Sequence, residues 1–201
     1  MSTTGIIILA AGSSSRLGQA KQQLLYKGKT LLQHAVQTAL DTGIKNVIVV
    51  LGANSEKFLQ HLPLSQVQVV QNLGWAEGMA SSIRLGLAEL QKVAPQITQV
   101  LFMLCDQPFV TAALLNELVQ KKEETKKKIV ACSYADTLGA PVLFDLAFFP
   151  ELLQLKGQEG AKKILSKHPV DIAPLFFPLG VVDIDTPSDY TFLIQKANAI
   201  D

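Results

Sequence analysis

Two positively charged side chains follow a run of small residues near the start of the chain. The segment reads LAAGSSSRLGQAK from Leu9 to Lys21 and comes directly after an apolar run. Small residues let backbone N–H groups approach an anion, and Arg16 and Lys21 would add positive charge for phosphate oxygens. The spacing matches neither a P-loop nor a dinucleotide-binding turn. The residues alone are therefore compatible with a phosphate-binding loop and with an ordinary strand-to-helix turn carrying two surface bases.

Carboxylates follow two further apolar runs. Asp106 comes shortly after the run that ends at Leu104, and Asp183 and Asp185 alternate on one face of an extended segment. A carboxylate at the carboxyl end of a strand can hold Mg²⁺, although Asp106 also fits a turn before Pro108. Spacing alone does not pair carboxylates so far apart in the chain. Their placement on two predicted strand ends favours convergence.

A third candidate segment, WAEGMASS, ends at Ser82 and leads into a helical pattern. Gly78 would permit a turn that brings Ser81 and Ser82 to a helix N-terminus, where hydroxyls and free N–H groups receive an anion or a base edge. The same residues fit a helix capped by Ser81. The two interpretations are compatible with each other.

Alternating strand and helix patterns must position these side chains. Strands are predicted at Gly5–Ala11, Asn46–Leu51, Val67–Val70, Val100–Leu104, Ile129–Tyr134, Pro141–Phe144 and Gly180–Asp183. Helices are predicted from Thr30 to near Gly43, over Ser81–Val93, from a Thr111 cap through Leu118, and after a Thr186 cap. This alternation predicts an α/β domain spanning residues 1–201, with a mostly parallel central sheet between two helical layers. Ligands should then bind beyond the carboxyl ends of the strands, at the loops after Ala11, Leu104 and Asp183.

The composition excludes several classes of protein. The chain has 201 residues, 48% of them hydrophobic, and a net charge of +1, which indicates a globular protein without a basic face for nucleic acid. No apolar run is long enough to span a membrane, and the run at Gly5–Ala11 lacks the preceding basic residues of a signal peptide. A cytoplasmic location is expected. Cys105 and Cys132 are predicted to be buried thiols in a reducing compartment.

The pattern Leu-Ala-Ala-Gly-x-Ser-x-Arg-x-Gly-x-x-Lys resembles the signature of sugar-nucleotide-type nucleotidyltransferases. Within them it most resembles the molybdenum cofactor cytidylyltransferase branch, which is related to the molybdopterin guanylyltransferases. Three further segments match in the same order: Gly78–Ser82, Asp106–Pro108 and Val182–Asp189. The resemblance covers essentially the whole chain and implies a single Rossmann-like domain of the nucleotide-diphospho-sugar transferase type.

The resemblance implies transfer of CMP from CTP to molybdopterin, or the molybdenum cofactor, with release of pyrophosphate. It implies Mg²⁺, or Mn²⁺, held by Asp106 and Asp185, and catalytic roles for Lys21, Arg16 and Asp106. Asp183 would support the loop, and a molybdoenzyme would be a partner. Nucleotide contacts are implied for Leu9, Ala10, Ala11, Gly12, Ser13, Ser14, Gly78, Met79, Ser81 and Ser82. Since an acceptor phosphate is already an anion, no strong base is needed, and packing or surface roles are expected for His34, His61 and His168.

Two segments depart from the family pattern and leave the acceptor open. Ala140 stands where relatives often carry histidine, and the segment Gly157–Lys162 replaces Gly-Asp-x-Gly-Ala-Arg. One alternative is a cytidylyltransferase for another phosphorylated alcohol, such as methylerythritol phosphate. Another is a molybdenum cofactor carrier or maturation protein that catalyses no transfer. Guanylyl transfer is disfavoured because those relatives usually have glycine where Ala11 stands.

Overall fold

The structure is a computed structural model that describes residues 3–12, 17–52, 55–60 and 62–198. Its described strands are β1 (Thr4–Ala10), β2 (Leu25–Tyr26), β3 (Lys29–Thr30), β4 (Asn46–Leu51), β5 (Gln68–Gln71), β6 (Gln99–Leu104), β7 (Ile129–Tyr134), β8 (Thr137–Asp145) and β9 (Ile172–Phe176). The described helices are α1 (Leu31–Asp41), α2 (Glu56–Leu59), α3 (Met79–Val93), α4 (Ala112–Thr125), α5 (Phe149–Leu152), α6 (Ala161–Lys167) and α7 (Pro187–Asn198). None of these helices is both long enough and apolar enough to cross a membrane.

A mostly parallel sheet forms the centre of the molecule. Its strands follow the order β5-β4-β1-β6-β8-β7-β9, and only β8 runs antiparallel to its neighbours. The central strand β1 is apolar on both faces because helices cover both sides of the sheet. Ile6 and Ile8 pack in one layer of the core, and Ile7 packs in the other. The predicted α/β architecture is confirmed.

Helices form the two outer layers. Leu32 of α1 and Leu115 of α4 pack with Ile6, whereas Ile83 of α3 and Ile164 of α6 pack on the opposite face of the sheet. Burial of these apolar stripes on both faces is the main stabilising contribution to such a fold.

Local sequence signals set several helix starts correctly. Thr30 caps α1, because its side chain accepts a hydrogen bond from Gln33 N at 3.1 Å while the Gln33 side chain accepts from Thr30 N at 2.8 Å. Thr111 caps α4 by accepting a hydrogen bond from Leu114 N at 3.2 Å. The predicted helix start at Thr30 and the predicted cap at Thr111 are confirmed.

The prediction of a strand at Gly180–Asp183 is wrong. The residues Pro178–Val181 form a 3-10 helix, and an irregular segment leads from there to α7. Strand β9 was not predicted, because it contains Pro174 and proline disfavours a strand in the interior of a sheet. Proline is tolerated there because β9 lies at the edge of the described sheet, next to β7. Strand β8 is also longer than the predicted segment Pro141–Phe144.

The irregular segment before α7 is anchored by Ile184. Its backbone N donates a hydrogen bond to the carbonyl oxygen of Asp106 at 3.1 Å. Its side chain is fully buried in a small apolar cluster with Leu17, Leu31 and Leu193. A segment near the end of the chain is therefore packed against the loops that follow β1 and β6.

Replacing Ile184 with alanine should lower the free energy of unfolding by about 3 kcal/mol, because the substitution leaves a cavity in a closed apolar cluster. Urea denaturation of Ile184→Ala measures this loss. Val181→Ala is the matched control, since Val181 lies directly before this segment but is 56% exposed. Equal stability losses in the two variants would contradict the anchoring role of Ile184.

Candidate active site

A cleft of about 360 Å³ opens at the carboxyl ends of β1 and β6. Parallel strands present their carboxyl ends at one edge of the sheet, which is where ligands bind in open α/β folds. Most of the residues predicted to contact the nucleotide line this cleft: Leu9, Ala10, Ala11, Gly12, Gly78, Met79 and Ser82. Ser81 is buried beside it. Ser13, Ser14 and Arg16, like His61, lie outside the residues that the structure describes.

Lys21 lies between two of the predicted carboxylates. Its Nζ donates a hydrogen bond to Asp106 Oδ2 and another, at 2.8 Å, to Asp185 Oδ1. The Lys21 and Asp106 side chains are only 14% and 13% exposed. Burial opposes the charged form of Lys21, but the charge of Asp106 and the hydrogen bonds to both carboxylates outweigh it and raise the pKa of Lys21. The ammonium group therefore stays protonated at neutral pH.

Asp189 holds the backbone next to Asp185. Its Oδ2 accepts hydrogen bonds from Thr186 N at 2.7 Å and from Asp185 N at 3.1 Å, as expected for the capping acid of α7. Asp185 therefore reaches Lys21 from the start of a helix, and not from the strand end that the sequence predicted. The two carboxylates nevertheless converge.

The carboxylate pair fits a hard divalent cation. Asp106 Oδ1 is buried and has no hydrogen-bond partner among the described residues. Leaving a buried acceptor unsatisfied is costly, and a cation would satisfy this oxygen. No group of three or more His, Cys, Asp or Glu side chains suited to a metal occurs in the described part of the chain. The residues that could hold Mg²⁺ or Mn²⁺ are Asp106 and Asp185, and the other ligands would come from substrate or water.

A second cleft, of about 460 Å³, adjoins the first. The two clefts share Leu9, Met79, Leu104 and Gln158 in their linings. Apolar side chains form much of the second cleft, among them Ile83, Phe102 and Val142. Both segments that depart from the family pattern reach it, through Ala140, Gln158 and Lys162.

Asp183 also lines the second cleft. Burial raises the pKa of Asp183, and the charges of Asp106 and Asp185 raise it further. Gln107 lies in the same lining, where its Nε2 donates hydrogen bonds to the carbonyl oxygens of Ala140 and Gly180, each at 3.2 Å. Gln107 thereby connects the end of β6 with β8, through Ala140, and with the 3-10 helix, through Gly180.

Gly78 is required where the two clefts meet. Its φ is 126°, and a Cβ at this position would lie 2.5 Å from the carbonyl oxygen of Gly157. Helix α3 begins directly after Gly78, so the interpretation of Ser81 as its N-cap is wrong. Ser81 instead donates its hydroxyl hydrogen to the Gly78 carbonyl oxygen at 2.8 Å.

Two sets of supporting residues were missed by the sequence analysis. Gln22 is buried, and its Nε2 donates hydrogen bonds to the carbonyl oxygens of Ala10 and Gly12 at 2.8 and 3.0 Å. The only sequence signal for Gln22 is its position next to Lys21. This side chain holds the backbone that follows β1.

The second missed set is a clamp formed by Glu77 and Arg84. The Arg84 guanidinium donates to both carboxylate oxygens of Glu77, at 2.8 and 2.7 Å, and to the carbonyl oxygen of Leu155 at 2.6 Å. Glu77 also accepts a hydrogen bond from Gly157 N at 3.2 Å. The clamp fastens the loop that carries Gln158 to the start of α3.

The histidines and cysteines take the predicted structural roles where they are described. His34 contacts the carbonyl oxygen of Tyr26, and His168 lies 2.8 Å from Glu151. Neither histidine lines either cleft. Cys105 and Cys132 are buried and form no disulfide, and burial raises the pKa of each thiol to about 12.

Removal of the Arg84 guanidinium should loosen the loop that contains residues 155–160. In Arg84→Met, amide hydrogens of this loop should exchange roughly fivefold faster, because the substitution removes the hydrogen bonds from Arg84 to Glu77 and to the Leu155 carbonyl oxygen. Hydrogen exchange followed by mass spectrometry measures the change. Lys92→Met is the control, since Lys92 pairs with Glu89 on the same helix but is 75% exposed. Unchanged exchange in the loop of Arg84→Met would show that Arg84 does not hold it.

The same fold and length occur in known proteins. Nicotine blue oxidoreductase of Paenarthrobacter nicotinovorans is 30% identical to the chain over 189 residues, which cover 90% of this chain and 91% of that protein. Purine catabolism protein PucB of Bacillus subtilis is 27% identical over 206 residues, with 95% of each chain covered.

Solved structures agree with this relationship. Rv0371c of Mycobacterium tuberculosis has a TM-score of 0.82 and is 32% identical, with 96% of this chain and 98% of that chain covered. The structure of Rv0371c in complex with manganese has a TM-score of 0.78, with 28% identity and the same coverage. The family model described as the MobA-like NTP transferase domain matches residues 6–172 of the chain. With the converging carboxylates and the cleft beyond β1, these matches show that the chain belongs to the MobA-like NTP transferase family of nucleotidyltransferases.

Proposed function

We propose that the protein transfers CMP from CTP to molybdopterin or the molybdenum cofactor and releases pyrophosphate. The observation that carries this proposal is the convergence of Asp106 and Asp185 on Lys21, beside two adjoining clefts. The first cleft would bind CTP, and the second would bind the phosphorylated acceptor. The reaction would take place in the cytoplasm, and a molybdoenzyme would receive the product.

Positive charge and backbone N–H groups would hold the triphosphate. Lys21 supplies one cation, and Arg16 is proposed as a second from the loop after Gly12. Gln22 fixes the backbone at Ala10 and Gly12, which would let phosphate oxygens approach this backbone closely. When bound by Asp106 and Asp185, Mg²⁺ or Mn²⁺ would neutralise phosphate charge and favour departure of pyrophosphate. The manganese complex of Rv0371c supports this choice of metal.

The chemical step needs no side-chain nucleophile. An oxygen of the acceptor phosphate would form a new bond to the α-phosphorus of CTP while the bond to the β-phosphate breaks, and the electron pair would leave with pyrophosphate. A phosphate monoester is already ionised at neutral pH. This agrees with the structural roles of His34 and His168. The protein's part is to orient the two substrates and to stabilise charge.

Ala11 supports the choice of a pyrimidine nucleotide. Its side chain lines the first cleft and is 8% exposed. Gly52 packs so closely on the Ala11 backbone that a Cβ on Gly52 would lie 2.3 Å from the Ala11 carbonyl oxygen. Guanylyl-transferring relatives usually have glycine at this position, and we propose that the methyl group of Ala11 disfavours a purine.

Another phosphorylated alcohol, such as methylerythritol phosphate, is the second candidate acceptor. The observation in its favour is that Ala140 and Gln158, which replace family residues, both line the second cleft.

An assay of pyrophosphate release with Mg²⁺ tests the proposed reaction. CTP, GTP and ATP are each combined with molybdopterin, with molybdenum cofactor and with methylerythritol phosphate. We expect release only with CTP and a molybdopterin species, because the cleft favours a pyrimidine and the reaction requires a phosphorylated acceptor.

Each other result has a defined meaning. Turnover of CTP with methylerythritol phosphate alone would replace the acceptor and leave the reaction class intact. Binding of molybdopterin without any transfer would favour a carrier protein. Reduction of nicotine blue, the activity named for the relative from P. nicotinovorans, is a further arm, and its observation without transfer would contradict the proposal.

The metal assignment is tested separately with Asp106→Asn and Asp185→Asn. Each variant should reduce CMP transfer by about 1000-fold, which corresponds to ~4 kcal/mol of lost transition-state stabilisation. Mn²⁺ binding in the presence of CTP, measured by electron paramagnetic resonance, should weaken at least tenfold.

Glu117→Gln is the matched control for this pair. Glu117 is exposed in the middle of α4, and the substitution likewise turns an acid into an amide. Its activity and Mn²⁺ affinity should equal those of the wild type. Wild-type Mn²⁺ affinity in both aspartate variants would exclude the assigned metal ligands.

A further inference from the structure

Asn72 is a buried amide at the end of β5 for which the reaction outlined above gives no role. It is only 4% exposed, and its backbone N donates a hydrogen bond to the carbonyl oxygen of Leu51 at 2.7 Å. The side chain reaches the first turn of α3. It therefore lies between the sheet and the wall of the first cleft.

The orientation of this amide is fixed by its neighbours. Gly74 N, which can only donate, approaches Asn72 Oδ1 at 3.0 Å. Nδ2 must then face the two serines, and it donates to Ser81 Oγ at 2.8 Å and to Ser82 Oγ at 2.9 Å. Exchanging the oxygen and nitrogen of the amide would place two donors against each other at Gly74.

The two serine hydroxyls differ in what they can still do. Ser81 uses its proton in a hydrogen bond to the carbonyl oxygen of Gly78. Ser82 accepts the hydrogen bond from Asn72 on its oxygen and keeps its own proton, for which no acceptor is found among the described residues. Ser82 lines the first cleft and is 5% exposed. In the cleft, this proton is available to water or to a bound ligand.

We propose that Asn72 is a positioning residue that makes Ser82 a hydrogen-bond donor to the nucleotide. By occupying the Ser82 oxygen, Asn72 selects ligands that place an acceptor atom, such as a carbonyl oxygen, an unprotonated ring nitrogen or a phosphate oxygen, against that hydroxyl. The inference rests on the proposed function only in that a nucleoside triphosphate occupies the first cleft.

Asn72→Asp replaces the amide donor that faces the two serines with a carboxylate acceptor, with almost no change in the shape of the side chain. A carboxylate still accepts the hydrogen bond from Gly74 N, but its other oxygen can only accept as well. Ser82 would then donate its proton inward to the introduced carboxylate, and its lone pairs would face the cleft. Hydrogen bonds from Gly74 N and Ser82 favour the ionised form of this carboxylate, whereas burial opposes it, so binding is measured at a pH well above the usual carboxyl range.

Calorimetric titration with CTP and Mg²⁺ at pH 8 tests the inference in four proteins: wild type, Asn72→Asp, Ser82→Ala and the double variant. We expect the Kd for CTP to rise about tenfold in each single variant, as for loss of one hydrogen bond to a charged or strongly polar group. The double variant should bind CTP no more weakly than Ser82→Ala, because Asn72 acts through Ser82. A purely structural role for Asn72 would instead give additive losses.

Gln99→Glu is the matched control for placing an acid at a buried amide. Gln99 is fully buried at the start of β6, whereas the first cleft lies at the carboxyl end of this strand. Its Nε2 donates a hydrogen bond to Thr4 Oγ1 at 2.6 Å. This variant should lose stability in thermal unfolding while its Kd for CTP stays at the wild-type value. A similar Kd change in Gln99→Glu would assign the effect of Asn72→Asp to general destabilisation and overturn the inference.

Two further outcomes separate this inference from the proposed function. An unchanged Kd in Asn72→Asp, with normal binding of CTP by the wild type, would overturn the role of Asn72 alone. Binding of GTP in place of CTP by the wild type would overturn the base assignment alone, and the same four proteins would then be compared with GTP. A wild-type protein that binds no nucleoside triphosphate would overturn both.

Discussion

The ammonium group of Lys21 between Asp106 and Asp185 is the interaction on which the arrangement of the site depends. It joins the loop after β1, the end of β6 and the segment before α7, which are far apart in the sequence. Two carboxylates this close repel each other unless a cation lies between them. The positive charge of Lys21 therefore permits a concentration of negative charge that a bound metal ion would otherwise have to neutralise.

This arrangement places the stability of the protein in competition with its chemistry. Ile184 and Asp189 hold the backbone beside the two carboxylates, so their positions do not depend on Lys21 alone. A divalent cation would compete with Lys21 for the same oxygens, and Asp106 Oδ1 already lacks a partner among the described residues. Because the backbone is fixed by other contacts, Lys21 could turn towards phosphate oxygens without loss of the fold. Such a site retains unsatisfied groups that a structure selected only for stability would not contain.

The sequence predicts well those features that depend on neighbouring residues. Strands β4 and β7 are continuous apolar runs and have the predicted bounds, and the caps of α1 and α4 follow from Thr30 and Thr111. Strand β9 was missed because Pro174 is acceptable only at an edge, and edge position is a property of the whole sheet. The contacts of Gln22 and Asn72 leave no periodic signal, since one buried amide looks like any polar residue in a loop. No local sequence pattern encodes the approach of Asp185 to Asp106, so this approach was expected from the family resemblance.

The two clefts adjoin through shared lining residues, one of which, Gln158, lies in the loop of residues 155–160. Gln158 lines both clefts. The loop that carries it is held in place because Arg84 donates a hydrogen bond to the Leu155 carbonyl oxygen and Glu77 accepts one from Gly157 N. Glu77 directly precedes Gly78, whose backbone approaches Gly157 too closely for any side chain. A substitution at position 158 therefore faces both clefts, in which the nucleotide and the acceptor are proposed to bind. Because the Gly78 turn packs so closely on Gly157, substitutions in this loop are tolerated only if they leave the backbone of residues 155–157 in place. A change of acceptor would therefore have to come from changes in side chains alone.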